Sequence, residues 1–537
     1  MYLVTFKPTE FNEKSKKEAV NRMQLQFAEI TNLLNEHQLL VKSVIPDAVT
    51  PQVSAIAYDS RKSSANSLFF CKGAFKPEYL TAARQNGASA YMAEQEFTEG
   101  AGLAGFVVTD IQKAMALISA AFYGFPQNDL FIIAYTGTKG KTTSSYFTHN
   151  ILKTATNNQT ALFSTIDRIV GPRPEQEFKS HLTTPESLDL FHDMRTAVDS
   201  GMTHLVMEVS SQAYKKNRVY GLHFDVGVFL NITPDHIGPT EHPNFADYLH
   251  CKLQLLVNSR ICVLNAETDH LNEIYRAAQA TSQPEDIYLF AKQDFQPSQA
   301  LPTIDFRYQS EEADLTASQF KLYARTNKAR ALTANGQYEL SLPGNFNESN
   351  AVAAAITASL AGATTPAIAT GLATAYVPGR MESLQTSNHG TIYADYAHNY
   401  ASMKALLSFL EGQQPDAKVI VVVGSPGNKG VSRRAGFGKV LTEYADVAFL
   451  TADDPGFEDP LKIAQEIDAH IDHSKVKVTI EVDRKKAIAA AIAASATNDI
   501  VVLAGKGDDA FQKVNGVDTP YPTDMVVAKE IVRGLQA

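Results

Sequence analysis

The 537-residue sequence contains no tryptophan and only three cysteines, Cys71, Cys251 and Cys262. Three irregularly spaced thiols cannot build a disulfide framework or a Cys-rich zinc module, which points to a reducing compartment. Positive charge is also scarce, since 48 Lys plus Arg stand against 58 Asp plus Glu for a formal net charge of -10. That balance disfavours general attraction to nucleic acid or an anionic membrane, while leaving room for a locally basic phosphate site. No stretch of about eighteen apolar residues spans a bilayer. The N-terminal stretch carries Lys7, Glu10, Glu13, Lys14, Lys16 and Lys17 where a signal peptide has its apolar core. A cytoplasmic protein with no transmembrane segment and no nucleic-acid partner is expected.

Hydrophobic residues make up 44% and charged residues 20% of the chain, which fits a folded globular protein rather than a disordered or fibrous one. At about 150 residues per domain the length suggests three to four domains. The segment Met23 to Leu40 has a helical pattern, and Val53 to Tyr58 and Ser67 to Phe70 resemble short strands. Phe125-Pro126-Gln127-Asn128 reads as a turn. Beyond it come strand candidates at Leu130 to Tyr135, Leu205 to Glu208, Asp225 to Leu230 and Arg260 to Leu264, with a helical candidate at Pro185 to Asp199. This alternation predicts a largely parallel α/β domain. After a break at Tyr376-Val377-Pro378-Gly379, strand candidates recur at Val419 to Val423, Val447 to Thr451, Lys475 to Ile480 and Ile500 to Leu503, predicting another α/β domain. The alanine-rich stretches Ala351 to Ala361 and Ala487 to Ala496 read as closely packed helices.

The sharpest local signal is FIIAYTGTKGKTTSSYFTHNIL, Phe131 to Leu152. A strand runs into a loop, Thr136 to Thr143, whose backbone N–H groups can surround phosphates at a helix start, while Lys141 offers a positive charge and Thr142 a magnesium-binding hydroxyl. Tyr135 stands where the full G-x-x-x-x-G-K-[ST] pattern has its first glycine, and a purely structural glycine turn is the bland alternative. Glu208 ends a strand candidate, and NITPDHIGPTEHPNFADYLHCK supplies Asp235, His236 and Lys252. Oxygen ligands and a histidine suit magnesium, whereas a protonated Lys252 has no lone pair to offer a metal. A phosphate-facing or solvent-facing lysine is the plain reading of that residue.

Taken in order along the chain, these motifs resemble the ATP-dependent Mur ligases of peptidoglycan synthesis, in the branch that adds the third residue to UDP-N-acetylmuramoyl-L-alanyl-D-glutamate. The resemblance runs from YDSR at Tyr58 to GKGDDAFQ at Gly505. It implies an α/β fold of three domains: a small N-terminal UDP-binding domain (1–125), a central mononucleotide-binding domain with a parallel sheet (126–378) and a C-terminal Rossmann-like domain that closes with the amino acid (379–537). Gly137, Thr138, Lys139, Gly140, Lys141, Thr142 and Thr143 are then the ATP phosphate loop. Glu208, His236 and Lys252 join Lys141 as catalytic residues. Thr142, Glu208, His236 and a carbamylated Lys252 become the Mg2+ ligands, carbamylation turning the ammonium into a carboxylate-like group. Asn347 of LPGNFNESN is placed beside adenine, and Arg380 of GRME with Asp395 and His398 of DYAH toward ATP. Ser60 and Arg61 fall near UDP. Thr183, Thr184 and Pro185 of HLTTPES, with Ser210 and Arg218, fall near the muramoyl-peptide. The implied reaction activates the D-glutamyl carboxylate as an acyl phosphate, which the incoming amine attacks. A monomer is expected.

Diaminopimelate-adding relatives carry a DNPR motif, but here TADDPGFEDP places Asp454 and Gly456 at its asparagine and arginine positions. The missing arginine and the acidic Asp453, Asp454, Glu458 and Asp459 favour a cationic amino acid, L-lysine, while Lys506 stands as a product-side or acidic-substrate contact. An acidic solvated turn would give the same letters. L-ornithine or meso-diaminopimelate on the same scaffold, or a folyl-polyglutamate type ligase, are the alternatives. HLDYHG becomes HIGPTEH here, DYAHxP becomes DYAHNY with Tyr400, and GKGHE becomes GKGDD.

Overall fold

The computed structural model describes residues 23–238, 241–297, 302–314, 317–428 and 430–536. The charged N-terminal residues Lys7 to Lys17, and Pro239 and Thr240 of the HIGPTEH segment, lie outside the described residues. The chain divides into two compact units, one of residues 1–141 and 156–289, the other of residues 142–155 and 290–537.

The first unit holds two large sheets besides the short pairing of Leu25–Gln26 with Gln52–Val53. One has the order Leu40–Val44, Ala104–Val108, Ala88–Ala93, Ser67–Phe70, Ala55–Ala57, with its first strand antiparallel and the others parallel. The expected helix over Met23 to Leu40 is shorter, Phe27–Glu36, because Leu25–Gln26 is claimed by a pairing with Gln52–Val53 and the chain re-enters a sheet at Leu40.

In the other sheet Thr160–Phe163, His204–Glu208, Phe131–Thr136, Phe224–Phe229 and Ser259–Asn265 run parallel in that order. Asp167–Ile169 and Glu177–Lys179 extend its edge antiparallel. Ile132 to Tyr135 are at most 1% exposed, so both faces of the central strand are covered and its continuous apolar run follows. Helix Ile111–Phe122 packs against Ser187–Asp199, and one apolar core runs from Phe106 and Ile118 to Phe191 and Met207. The two sheets of this unit therefore share a core.

In the second unit, Phe306–Ala313, Ser318–Ala324 and Gly336–Leu340 form an antiparallel meander that the sequence reading did not single out. A six-stranded sheet follows, ordered Glu382–Leu384, Thr391–Asp395, Ile500–Ala504, Val419–Val423, Val447–Leu450, Lys477–Ile480, parallel except for its first strand. The two alanine-rich segments lie mostly in the helices Asn345–Leu360 and Arg484–Ala494, with Ala361 and Ala496 just past their ends. In the first, Ala351, Ala353, Ala354, Ala355 and Ala358 are fully buried, the small side chains allowing close approach. Asn350 receives a hydrogen bond from Ser144 at 3.4 Å, and the Thr148 and Thr357 hydroxyls lie 3.5 Å apart.

Candidate functional site

The strand Phe131–Thr136 delivers its chain to a loop whose last residue, Lys141, already starts the helix Lys141–Ala155. Lys141, Thr142 and Thr143 thus stand in a first helical turn rather than in loop, and the N-terminal turn of a helix favours an anion. Gly140 has φ +85°, which a residue with a Cβ rarely adopts. A Cβ on Gly137 would come within 3.1 Å of the Leu230 Cβ and 3.3 Å of the Asn231 backbone.

The loop is stitched to the segment after Phe224–Phe229. Lys139 N–H donates to Asn231 Oδ1 at 2.8 Å, and Asn231 Nδ2 donates back to the Lys139 carbonyl at 3.0 Å. Thr138 Oγ1 donates to the Thr233 carbonyl and lies 3.1 Å from the Tyr248 hydroxyl. Lys141 Nζ folds onto the carbonyls of Gly137 (2.9 Å) and Thr138 (3.3 Å).

Lys252, on helix Phe245–Val257, is 2% exposed and donates from Nζ to the Gly137 carbonyl at 2.7 Å, with its ammonium 4.8 Å from the Tyr248 ring. It makes no ion pair among the described residues. Burial, reinforced by the charge of Lys141, holds its pKa well below the ordinary lysine value. A cation is costly to bury without an ion partner, which is the direction of that shift.

Glu208 is fully buried at the end of His204–Glu208, in register with Tyr135. Its carboxylate accepts from the Thr165 N–H at 2.6 Å and hydroxyl at 3.0 Å. His236 stands about half exposed, in the left-handed region at φ +55°, with Nδ1 2.6 Å from Glu241. Asp235 lies 3.5 Å from Lys139 Nζ. A strained non-glycine residue beside a phosphate-type loop is a mark of a site held for function.

The HLTTPES residues converge on the same strand end. Thr165 Oγ1 lies 3.1 Å from the Thr183 hydroxyl, from which it can accept, and Thr184 Oγ1 donates to the Glu208 carbonyl at 3.0 Å while accepting from the Ser210 N–H. Arg218 is 7% exposed, reaches the Thr184 carbonyl at 3.3 Å and pairs with Glu186 at 2.7 Å. Ser60 and Arg61 form a single 3-10 turn, and the exposed Arg61 guanidinium is held by Asp59 at 2.7 Å.

In the second unit Asn347 is buried and donates to the Pro343 carbonyl at 2.8 Å. Asp395 accepts from the N–H groups of Met381 (2.9 Å) and Ala397 (2.8 Å), and burial raises its pKa. Arg380 stacks 4.6 Å from the Tyr396 ring, and His398 lies against the same ring.

The TADDPGFEDP loop is less open than its letters suggest. Lys506, fully buried, sits 3.4 Å from Asp453, 2.9 Å from Asp454 and 3.8 Å from Asp509. Glu458 and Glu466 share Arg434, at 2.9 and 2.5 Å. Asp459 caps helix Pro460–Asp468. The loop's acids are thus engaged internally, with carboxylates outnumbering cations in each group. Pro455 to Pro460 line a cavity of about 450 Å3 together with Ala452, Gln512, Val514 and Asn515. Gly456 occupies φ +61°.

The motif reading missed Thr165, Asn231, Tyr248 and Glu186. Tyr248 had a signal, lying one helical turn before Lys252. Asn231 follows a strand directly, and the other two come together only in the fold.

Comparison with known proteins agrees with this geometry. The Mur ligase middle domain profile matches residues 135–358, and the Mur ligase glutamate ligase domain profile matches residues 379–507. The chain is 61% identical over 513 residues to the UDP-N-acetylmuramyl-tripeptide synthetase of Latilactobacillus sakei strain 23K, covering 96% of this chain and 100% of the relative. It is 50% identical over 483 residues to the UDP-N-acetylmuramoyl-L-alanyl-D-glutamate--L-lysine ligase of Enterococcus faecalis strain V583, covering 90% and 92%. Among solved structures, a UDP-N-acetylmuramoyl-L-alanyl-D-glutamate--2,6-diaminopimelate ligase shares the fold with a TM-score of 0.63 at 24% identity, covering 96% of this chain and all of that one. On phosphate loop, strand-end acid and matched domains together, the chain belongs to the Mur ligase family.

Proposed function

We propose that this protein is an ATP-dependent ligase that joins L-lysine to the D-glutamyl carboxylate of UDP-N-acetylmuramoyl-L-alanyl-D-glutamate, giving the UDP-muramoyl-tripeptide, ADP and phosphate. It does so as a monomer in the cytoplasm, with three functional parts, 1–125 for the UDP end, 126–378 for ATP and 379–537 for the amino acid. The observation that carries the ligase reading is the buried Lys252 amine on the Gly137 carbonyl of a glycine loop that also holds Lys141. The lysine preference draws on the E. faecalis relative and on the surplus of carboxylates around Lys506 and Arg434.

In this reading Gly137 to Thr143 cradle the ATP phosphates through backbone N–H groups, and Lys141 swings from its two carbonyls to offset charge on the transferred phosphoryl group. Asn347 meets the adenine, and Arg380, Asp395 and His398 serve ATP. Thr183, Thr184, Ser210 and Arg218 orient the muramoyl-peptide so that its carboxylate lies in line, while Ser60 and Arg61 hold the UDP end. Orientation of this kind replaces a collision with a positioned attack. The acyl phosphate then meets the amine of lysine, whose side-chain ammonium is read by Asp453, Asp454 and Glu458, while Lys506 serves as a product-side or acidic-substrate contact.

The donor set fits magnesium, because a neutral buried amine at Lys252 can add carbon dioxide, releasing a proton and leaving a carbamate oxygen donor. Thr142, Glu208, His236 and carbamylated Lys252 would hold it, supplying charge neutralisation on the phosphate oxygens when bound. A carbamate signal from 13C-bicarbonate that is absent in Lys252→Met checks the modification, and its absence from the unsubstituted protein refutes it. The function itself is tested by offering purified protein the UDP-muramoyl-dipeptide, ATP and magnesium with lysine, ornithine or diaminopimelate. Lysine-dependent ADP and tripeptide are expected, and preference for another amino acid, or ligation of a folate substrate instead, overturns the reading.

A further inference from the structure

The mechanism above leaves one well-built cluster unused, where the two sheets of the first unit meet. Lys72 follows the strand Ser67–Phe70 and is only 12% exposed at its side chain. Its ammonium donates to Glu186 Oε2 at 2.7 Å and lies 4.4 Å from the centre of the Tyr58 ring. The other oxygen of Glu186 is taken by Arg218 Nε at 3.0 Å and Nη2 at 2.7 Å. Arg218 reaches on to the Thr184 carbonyl. Tyr58 donates its hydroxyl to Asp189 at 2.5 Å, so that nearby carboxylate is engaged by a neutral group and not by either cation.

Two largely buried cations therefore share one carboxylate. An ammonium carries three N–H donors, and Glu186 is the one hydrogen-bond acceptor of Lys72 among the described residues. Burial alone would raise the Glu186 pKa, but Lys72 and Arg218 together bring it below the ordinary carboxylate value, so Glu186 is a carboxylate at neutral pH. A structural bridge needs one cation for one carboxylate. A second cation with spare donors, beside the Thr183–Thr184 turn, is what an anionic ligand requires.

We propose that Lys72 is a further substrate-binding residue, its ammonium donating to an oxyanion of the UDP-muramoyl-dipeptide while Glu186 holds it in place beside Arg218. The proposal rests on the substrate assignment made above and names a contact which that assignment did not include. The oxyanion belongs either to the diphosphate or to a peptide carboxylate, chemically alike toward an ammonium.

Steady-state kinetics on Lys72→Gln and Lys72→Arg test it. Loss of one charge-assisted contact in K72Q should raise KM for the UDP-muramoyl-dipeptide about 10- to 100-fold, leaving kcat and the KM for ATP within about threefold, and K72R should recover most of the loss. Calorimetric titration of K72Q with UDP alone separates the sources. Weakened UDP binding assigns the diphosphate, and unchanged UDP binding with weakened dipeptide-precursor binding assigns the carboxylate. If both variants melt lower but keep the unsubstituted KM for the precursor, Lys72 is only a bridge and the proposal fails. K72R, which retains a cation, supplies the same reading should K72Q not fold. Failure of the unsubstituted protein to bind or ligate the precursor would instead sink the substrate assignment.

Discussion

Lys141 donates to the Gly137 and Thr138 carbonyls of its own loop, contacts that stay local to that loop. Lys141→Ala should leave the melting temperature within a few degrees while lowering kcat about 10²- to 10³-fold, the usual loss for one preorganised charge stabiliser. Precursor-dependent ADP release measures this, and near-normal turnover would remove Lys141 from phosphate chemistry. Glu186 gives a residue-scale prediction of a different kind. Its folded pKa lies below the ordinary 4.5 because of Lys72 and Arg218, so it contributes stability that is fully present above about pH 4.5 and lost as pH falls through the lower folded value. The melting-temperature gap between the unsubstituted protein and Glu186→Gln should therefore be widest near pH 7 and narrow below pH 4.5. A gap that widens on acidification would contradict the ion-bridge account. The two residues also mark what sequence could disclose about the site. Lys141 was legible because the loop, the helix start and the cation are consecutive. Lys72 was not, since its partners Glu186 and Arg218 lie more than a hundred positions away and no local pattern joins them.

Elements were legible where both faces of a strand are buried. Val419 to Val423 is a five-residue apolar run, and the strand has those same bounds, all five residues buried. The meander strand Ser318–Ala324 instead alternates buried and partly exposed positions and carries Gln319 and Lys321, a half-covered pattern easily lost among polar neighbours. The helix Lys141–Ala155 shows a further kind of constraint. Its residue Ile151 lies so close to helix Thr365–Ala373 that a Cβ on Gly371 would come within 2.5 Å of the Ile151 Cα. Backbone on backbone leaves no flexible side chain to yield. Gly371→Ala should cost about 1 to 3 kcal/mol, although alanine is the better helix former. Urea unfolding monitored by circular dichroism measures it, and a stabilised variant would show that the two helices stand farther apart.

For the molecule as a whole, the net charge of -10 sets up a conflict that the local structure resolves. ATP and the UDP-muramoyl precursor are polyanions, so the average field repels two of the three substrates, while an amino acid with a cationic side chain is drawn in. On the proposed assignments the cations that meet the anions are few and close-range, Lys139 and Lys141 in the phosphate loop and Lys72 and Arg218 at Glu186. Salt screens charges beyond about 10 Å at 0.1 M but acts weakly on buried contacts. Raising potassium chloride from about 0.02 to 0.15 M, at fixed free magnesium, should therefore relieve the long-range repulsion before it weakens the local bonds. kcat/KM for the precursor should rise about two- to threefold, and kcat/KM for lysine should fall by a similar factor. Opposite signs are the content of the prediction. If both constants move together, the acidic surface acts on the protein uniformly, and the pairing of a basic anion site with an acidic lysine pocket is not what sorts the substrates.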